Sequence, residues 1–172
     1  FTSVYALLGA VRAARPAQAA AIDALAAAQL IATGADDFGS GEANAGGDAR
    51  NLPLYPLMNS GATRQVCSSL PTGGSSAVYN KLGNRRYLRF AMPVSGTVSI
   101  AARNGRAGTD PDIVLYAAGV ERGRAEGDAS GTETLTLPLQ AGSYVAEIYE
   151  FSNISGTSPR GNECFDVTLT IS

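Results

Sequence analysis

The residues of this chain that could do chemistry are almost all carboxylates and tyrosines. Its 172 residues include no histidine, which excludes a Ser-His-Asp or Cys-His arrangement and a His-Glu-x-x-His zinc site within it. General acid–base work would have to use a pair of carboxylates drawn from Asp110, Asp112, Asp128, Glu147 and Glu150. Acidic residues in turns and on strand faces usually serve local hydrogen bonding or solubility. We therefore predict that the chain is not an enzyme.

Two of these carboxylates, Asp110 and Asp112, flank Pro111 just before the β-branched and aromatic run that ends at Tyr116. Together with Glu121 or Asp128 they could supply the oxygen ligands that Ca²⁺ prefers. The alternative is a proline turn closed on either side by Asx-type hydrogen bonds. Calcium is the one cofactor that the sequence indicates.

Exposed aromatic side chains would mark a binding surface. Most of the tyrosines occupy positions that suit a core or the edge of a sandwich. Tyr149 and Phe151 instead precede a Ser-, Gly- and Asn-rich segment at 152–162. We predict that these two rings are exposed and contact a ligand, either a polymeric carbohydrate or a protein.

Charge and composition exclude other classes of partner. The net charge of −2 provides no basic field for nucleic acid or anionic lipid. No apolar run approaches the ~20 residues needed to cross a bilayer. Charged residues make up only 16% of the chain and glycine reaches 20 residues, a composition that suits an extracellular β-domain.

The chain has two cysteines, Cys67 and Cys164, which we predict to form a disulfide. Two separate buried thiols are the alternative. A disulfide requires an oxidising compartment, so we expect a secreted or periplasmic protein. The chain starts at Phe1 without a secretory signal, and we expect it to be a piece of a longer exported precursor.

The first 60 residues differ in character from the rest. Val4, Leu7, Leu8 and Val11 are spaced as one apolar stripe of a helix, and Pro16 separates them from a second, Ala-rich helical pattern. Residues 1–33 are thus predicted to form an αα-hairpin, the tail of an upstream domain. Residues 34–60 are predicted to be a linker, first rich in Gly, Ala, Asn and acid and then held extended by two prolines.

From residue 61 onward, apolar and polar residues alternate in short runs separated by turn residues. This pattern predicts a mainly β domain over 61–172, an antiparallel jelly-roll-like β-sandwich. An exposed charged loop is predicted at 121–130. Strands are predicted at 64–68, 86–92, 96–102, 110–116, 132–137, 142–149 and 164–171.

The order of several motifs is similar to that of the bacterial pre-peptidase C-terminal domain, a β-sandwich appended to secreted peptidases. The motifs are Tyr87-Leu-Arg-Phe90, Gly-Thr-Val-Ser-Ile100, Asp-Pro-Asp-Ile-Val-Leu-Tyr116, Glu-Thr-Leu-Thr-Leu137 and Ala-Gly-Ser-Tyr-Val-Ala-Glu-Ile148. The resemblance covers about residues 85–172.

This resemblance implies a non-catalytic accessory domain that is exported with a bacterial peptidase and is often removed during maturation. Its partners would be the upstream domain and a polymeric substrate. Related sandwiches in clostridial collagenases bind collagen and calcium, and only Asp110 and Asp112 carry over as calcium-side residues. A stand-alone carbohydrate- or protein-binding module is the alternative function.

Overall fold

The structure is a computed structural model that describes residues 10–21, 54–68, 85–118, 120–128, 130–155, 160 and 163–172. Near the N-terminus, residues 10–14 and 19–21 are helical on either side of a 3₁₀ turn at Pro16–Gln18. Arg15 leaves the helical region (φ −131, ψ 60), so the chain is interrupted at the proline as the sequence indicates. The remainder of the predicted hairpin and residues 34–53 lie outside the described residues. The hairpin stays a prediction.

In the described residues from 54 onward there are nine strands and one short helix, which we number β1–β9 and α1. The helix α1 is Phe151–Ser155. The strands are Leu54–Met58 (β1), Thr63–Ser68 (β2), Arg86–Met92 (β3), Gly96–Arg103 (β4), Pro111–Ala117 (β5), Val120–Ala125 (β6), Thr132–Leu139 (β7), Gly142–Glu150 (β8) and Glu163–Ile171 (β9).

The strands form two sheets, with the order β1-β3-β8-β5-β6 in the first and β2-β9-β4-β7 in the second. Strand β2 pairs with β9, β3 with β8, β4 with β7 and β5 with β6, and all four pairs are antiparallel. This nested order is that of a jelly roll, in which a long antiparallel ribbon is rolled into two facing sheets. The predicted fold class is confirmed.

The core lies between the two sheets because every second side chain of each strand points inward. On β3 these are Leu88, Phe90 and Met92, and the Phe90 ring stacks on Tyr144 of β8 at 5.5 Å between centroids. The second sheet contributes Phe165, Val167 and Leu169, among others. Burying an apolar side chain of this size contributes roughly 1.5–3 kcal/mol.

Two predicted boundaries are wrong. Leu54–Met58 was placed in the linker, but it is a strand that pairs in parallel with β3. Its Pro56 is compatible with this position, because β1 is an edge strand and one side of it needs no ladder donors. The charged loop predicted at 121–130 begins instead with strand β6, which pairs with β5. Charged side chains suit this strand too, since it forms the other edge of its sheet.

The predicted disulfide is present between Cys67 and Cys164. The two cysteines are directly opposite each other in the β2–β9 ladder, so the bond ties an edge strand to its neighbour. In the part of the chain that the structure describes, no helix is long and apolar enough to cross a membrane.

Candidate functional site

The strand ends that are separated by the most residues of the sequence lie at one end of the sandwich. Successive strands of β2–β9 run in opposite directions, so their ends alternate between the two ends of the sandwich. The strand ends that border 59–62, 93–95, 118–119 and 140–141 lie at one end, and those that border 69–85, 104–110, 126–131 and 151–162 lie at the other. We call the second end the loop end, formed among the described residues by Arg85, 104–110, 126–128, 130–131 and 151–155. Binding residues are commonly placed on such loops over a rigid scaffold.

The turn before β5 is fastened to the start of α1 at the loop end. The Asp110 backbone N–H donates to Glu150 Oε2 at 2.9 Å, and the Phe151 N–H donates to the Asp110 carbonyl at 2.9 Å. Glu150 is fully buried, and its other carboxylate oxygen accepts from Ser152 Oγ at 2.7 Å. Two loops of the loop end therefore form one unit through a buried carboxylate.

Asp112 lies on β5, on the face of the five-stranded sheet that points away from the core, and only 2% of it is exposed. Burial raises the pKa of its carboxyl to about 7, with further increases from Asp110, Glu126 and Glu133 and a partial lowering from the nearby Tyr149 hydroxyl. The pKa of Asp110 is raised as well, first by burial and then by Glu150, Glu133 and Asp128. Several carboxyl groups therefore lie near one another at the loop end.

Tyr149 joins several charged groups on that same outward face. Its hydroxyl donates to Glu126 Oε1 at 2.9 Å, and Arg124 Nη1 binds Glu126 Oε2 at 3.0 Å. On the other side, the Arg85 guanidinium stacks over the Tyr149 ring at 4.1 Å from its centroid and pairs with the buried Glu147. These residues form a polar network that crosses from β6 over β8 to the start of β3.

The prediction that Tyr149 is exposed is wrong, because only 5% of the residue is accessible to solvent. The Arg85 guanidinium lies over its ring. Burial raises the pKa of its hydroxyl, and the nearby charge of Asp112 raises it further. Phe151 is exposed to 47%, at the first position of α1. Of the two aromatic residues, Phe151 is the one that a partner could contact.

The charge of Asp110 is one of the causes that raise the pKa of Asp112, so these two carboxyl groups lie near each other. Glu121 does not join them, since it is paired with Arg124. Within the described ranges, no group of three or more acidic, histidine or cysteine side chains is arranged to hold a metal ion. Calcium binding by these two residues stays a hypothesis.

The residues that tie the loops together were not predicted from the sequence. Glu163, 3% exposed, accepts from Arg106 at 2.6 Å, Arg160 at 3.2 Å and Asn104 at 3.3 Å. Arg160 also donates to the Ala107 carbonyl at 3.1 Å. The sequence did contain one indication of a buried acid, since Glu147 lies between Ala146 and Ile148 in an otherwise apolar strand.

No family model matches the chain, and no curated protein matches it. Solved structures do match it. One is the pre-peptidase C-terminal domain of a collagenase from Bacillus anthracis, with 12% identity, a TM-score of 0.49 and coverage of 66% of this chain and 92% of that one.

Another is PliG, a periplasmic lysozyme inhibitor of g-type lysozyme from Salmonella Typhimurium, with 12% identity, a TM-score of 0.39 and coverage of 70% and 97%. A β-1,3-glucan-binding module from Bacillus halodurans has 12% identity, a TM-score of 0.31 and coverage of 49% and 68%. At these values the likeness is one of general architecture, and nothing about activity or ligand follows from it.

Proposed function

We propose that this chain is a non-catalytic accessory β-sandwich domain of an exported bacterial protein, and that its loop end contacts the rest of that protein or its polymeric substrate. The observation that carries the proposal is the arrangement of the loops. The described loop residues 104–110 and 126–128 and the exposed ring of Phe151 lie at the same end of the sandwich.

The path of the chain also supports a loop end that faces the rest of the protein. Leu54, the first residue of β1, pairs with Tyr87 near the start of β3, so the preceding chain reaches the sandwich at the loop end. The last residue, Ser172, pairs with Thr97 at the opposite end. A domain N-terminal to the sandwich would therefore face the loops.

The disulfide and the residue types support export and a non-catalytic role. Cys67 and Cys164 are joined, as expected in an oxidising compartment. The chain has no histidine, and Glu147 and Glu150, two of the candidate acids, are fully buried with polar partners. That the exported protein is a peptidase is the part of the proposal that rests on the sequence resemblance.

A sedimentation assay with insoluble collagen, chitin and cellulose tests the contact role. We expect Phe151→Ala to lower retention by about tenfold, the effect of removing an aromatic anchor from an interface. Val94→Ala is the matched control, because Val94 is 68% exposed at the opposite end of the sandwich. Equal loss in both variants, or no retention of the wild-type chain on any polymer, would contradict substrate contact.

The same assay separates the two function classes. Retention on one carbohydrate polymer by the chain alone would favour a stand-alone carbohydrate-binding module. Retention on collagen would favour the accessory domain of a peptidase.

A further inference from the structure

Asn104 and Gly105 form the one Asn-Gly pair of the sequence. They follow β4 directly, in the loop 104–110, which the structure describes in full. Asparagine is among the chemically labile residues, because the nitrogen of the next peptide bond can attack its side-chain amide carbon. Glycine leaves that nitrogen most accessible, since it has no Cβ beside it. The contacts of the pair decide whether this attack is favoured in the folded protein.

Two partners hold the Asn104 amide in one orientation. The Arg106 backbone N–H donates to Asn104 Oδ1 at 2.7 Å, and Asn104 Nδ2 donates to Glu163 Oε2 at 3.3 Å. The reverse orientation would place a donor against the N–H and an oxygen against the carboxylate. The bond from Arg106 closes an Asx turn. The ring of atoms in that turn contains both Asn104 Cγ and the Gly105 nitrogen, so it brings these two atoms towards each other.

The attacking nitrogen and the oxygen that gains charge are both prepared for the reaction. Gly105 is exposed, and within the described ranges no group accepts a hydrogen bond from its N–H. The nitrogen can therefore lose its proton to solvent without breaking a bond to the protein. Negative charge then develops on Asn104 Oδ1, where the Arg106 N–H already donates. A backbone donor that is oriented in advance stabilises such a transition state.

The reaction needs only water as a co-reactant. The Gly105 nitrogen gives its proton to solvent base and forms a bond to Asn104 Cγ. The bond from Cγ to Nδ2 breaks, and Nδ2 leaves as ammonia with a proton from water. Water then opens the cyclic imide. Cleavage of the new N–Cγ bond gives aspartate, and cleavage of the original peptide bond gives isoaspartate, in which the main chain runs through Cβ. Nothing is oxidised or reduced.

Either product changes the contact with Glu163. This residue is 3% exposed, and its Oε2 accepts from Asn104 while its Oε1 accepts from Arg106 and Arg160. The new carboxylate has no proton to donate at neutral pH. Two carboxylates then face each other where a hydrogen bond had been, and the buried one loses its partner at Oε2. Only the two arginines remain to attach the loop 104–110 to Glu163.

We propose that Asn104 is a self-modifying residue, whose side-chain amide becomes a carboxylate through a cyclic imide with Gly105, and that this conversion loosens the loop 104–110 from Glu163. The loop end then has two chemical forms, and the aged form carries one more negative charge. The inference goes beyond the proposed function and holds whatever the loop end contacts.

Peptide mapping by mass spectrometry during incubation of the folded chain at pH 8 tests the reaction. Each conversion adds about 1 Da at Asn104, and labelling by isoaspartyl methyltransferase counts the isoaspartate. The folded chain should react at least as fast as the chain in guanidinium chloride, because only the fold supplies the Asx turn and the oriented Arg106 N–H. Conversion in denaturant with none in the folded chain would overturn the proposal.

Two controls test the role of the Gly105 nitrogen. Asn59 is exposed and is followed by Ser60, so it should stay unchanged while Asn104 reacts. A Cβ added at Gly105 would meet no atom within 4 Å, so Gly105→Ala should fold normally. Its methyl group shields the nitrogen and should slow the conversion about tenfold. Equal conversion of Asn59, or an unchanged rate in Gly105→Ala, would contradict attack by this nitrogen.

Amide hydrogen exchange by NMR tests the loosening. The Gly131 N–H donates to the Thr109 carbonyl of the loop at 2.8 Å. Its protection should fall about tenfold in Asn104→Asp, the effect of losing one hydrogen bond to a charged group, whereas the Ile100 amide in the core of β4 should not change. Adding Glu163→Gln supplies a donor to the new carboxylate and should restore part of the protection at Gly131.

Unchanged protection at Gly131 in Asn104→Asp, or no restoration by Glu163→Gln, would refute the loosening. Should Asn104→Asp fail to fold, the aged wild-type protein provides the same measurement. Its additional negative charge allows its separation from the unaged protein by ion exchange.

Discussion

Replacing Asp112 by asparagine should make the protein more stable at neutral pH. The carboxyl has a pKa of about 7 in the folded protein, against a usual 3.8. Each pH unit between these values corresponds to about 1.4 kcal/mol. Ionisation of Asp112 thus costs the folded state about 4 kcal/mol at most. Relaxation of the folded protein around the charge recovers part of this cost, which leaves an expected gain of about 2 kcal/mol for the variant.

The direction in which the free energy of unfolding changes with pH follows from proton binding. Between about pH 4 and pH 7 the folded protein retains a proton on Asp112 that the unfolded chain has lost. The free energy of unfolding therefore falls as the pH rises through this window, and this contribution is constant above it. At pH 3.5 the carboxyl is largely protonated in both states, so wild type and Asp112→Asn should be nearly equally stable.

Urea unfolding at pH 4, 5, 6, 7 and 8 measures this difference, with Asp128→Asn as the control acid from an exposed position. The stability gap between wild type and Asp112→Asn should widen through the window, whereas that for Asp128→Asn should not. A gap that stays constant with pH, or a variant less stable than wild type at pH 8, would refute this explanation of the buried carboxyl.

Other perturbations test the supports of the loop end. Replacing both cysteines by alanine should lower the free energy of unfolding by about 2–5 kcal/mol in chemical denaturation, because the disulfide closes a loop with a sequence separation of 97 residues. Arg85→Met should lower the free energy of unfolding by about 3–5 kcal/mol because it removes an ion-pair partner from buried Glu147. The double variant, which carries both Arg85→Met and Glu147→Met, should recover part of that stability. Gly131→Ala should lower the melting temperature, since its φ is +75 and an added Cβ would lie 2.8 Å from a backbone oxygen, while Gly105→Ala has open space and should not. If the acidic loop end binds calcium, millimolar Ca²⁺ should raise the melting temperature of EDTA-treated protein; no rise would remove the calcium hypothesis.

The strands of the sandwich could be predicted because their side chains alternate. β3 was predicted with the bounds that it has, Arg86–Met92, since Pro93 ends a clear period of two. β6 could not be found in the same way, because its Glu and Arg residues lie on an edge strand where neither face must be apolar. β1 was missed because two prolines at 53 and 56 outweighed its leucines.

The buried polar network was harder to predict, because alternation tells which residues share a face but not whether the second face is also covered. On β8 both sets of side chains are buried from Tyr144 to Glu150. Tyr149 was therefore expected at the surface, although only 5% of it is exposed. The disulfide, by contrast, could be predicted from the count of two cysteines in a chain of this composition.

The position of the buried acids is informative about what they do. A carboxyl in an interior sheet position costs stability unless it is paired, and a sandwich of this size could place apolar residues there instead. Glu147 and Glu150 have such partners, an arginine and a set of hydrogen-bond donors. Asp112 is buried as well, but burial, then Asp110, and then Glu126 and Glu133 all raise the pKa of its carboxyl and so oppose its charge. A buried carboxyl whose surroundings oppose its ionisation loses stability when it ionises, which is why replacing Asp112, rather than Glu147 or Glu150, should change how the stability of the fold depends on pH.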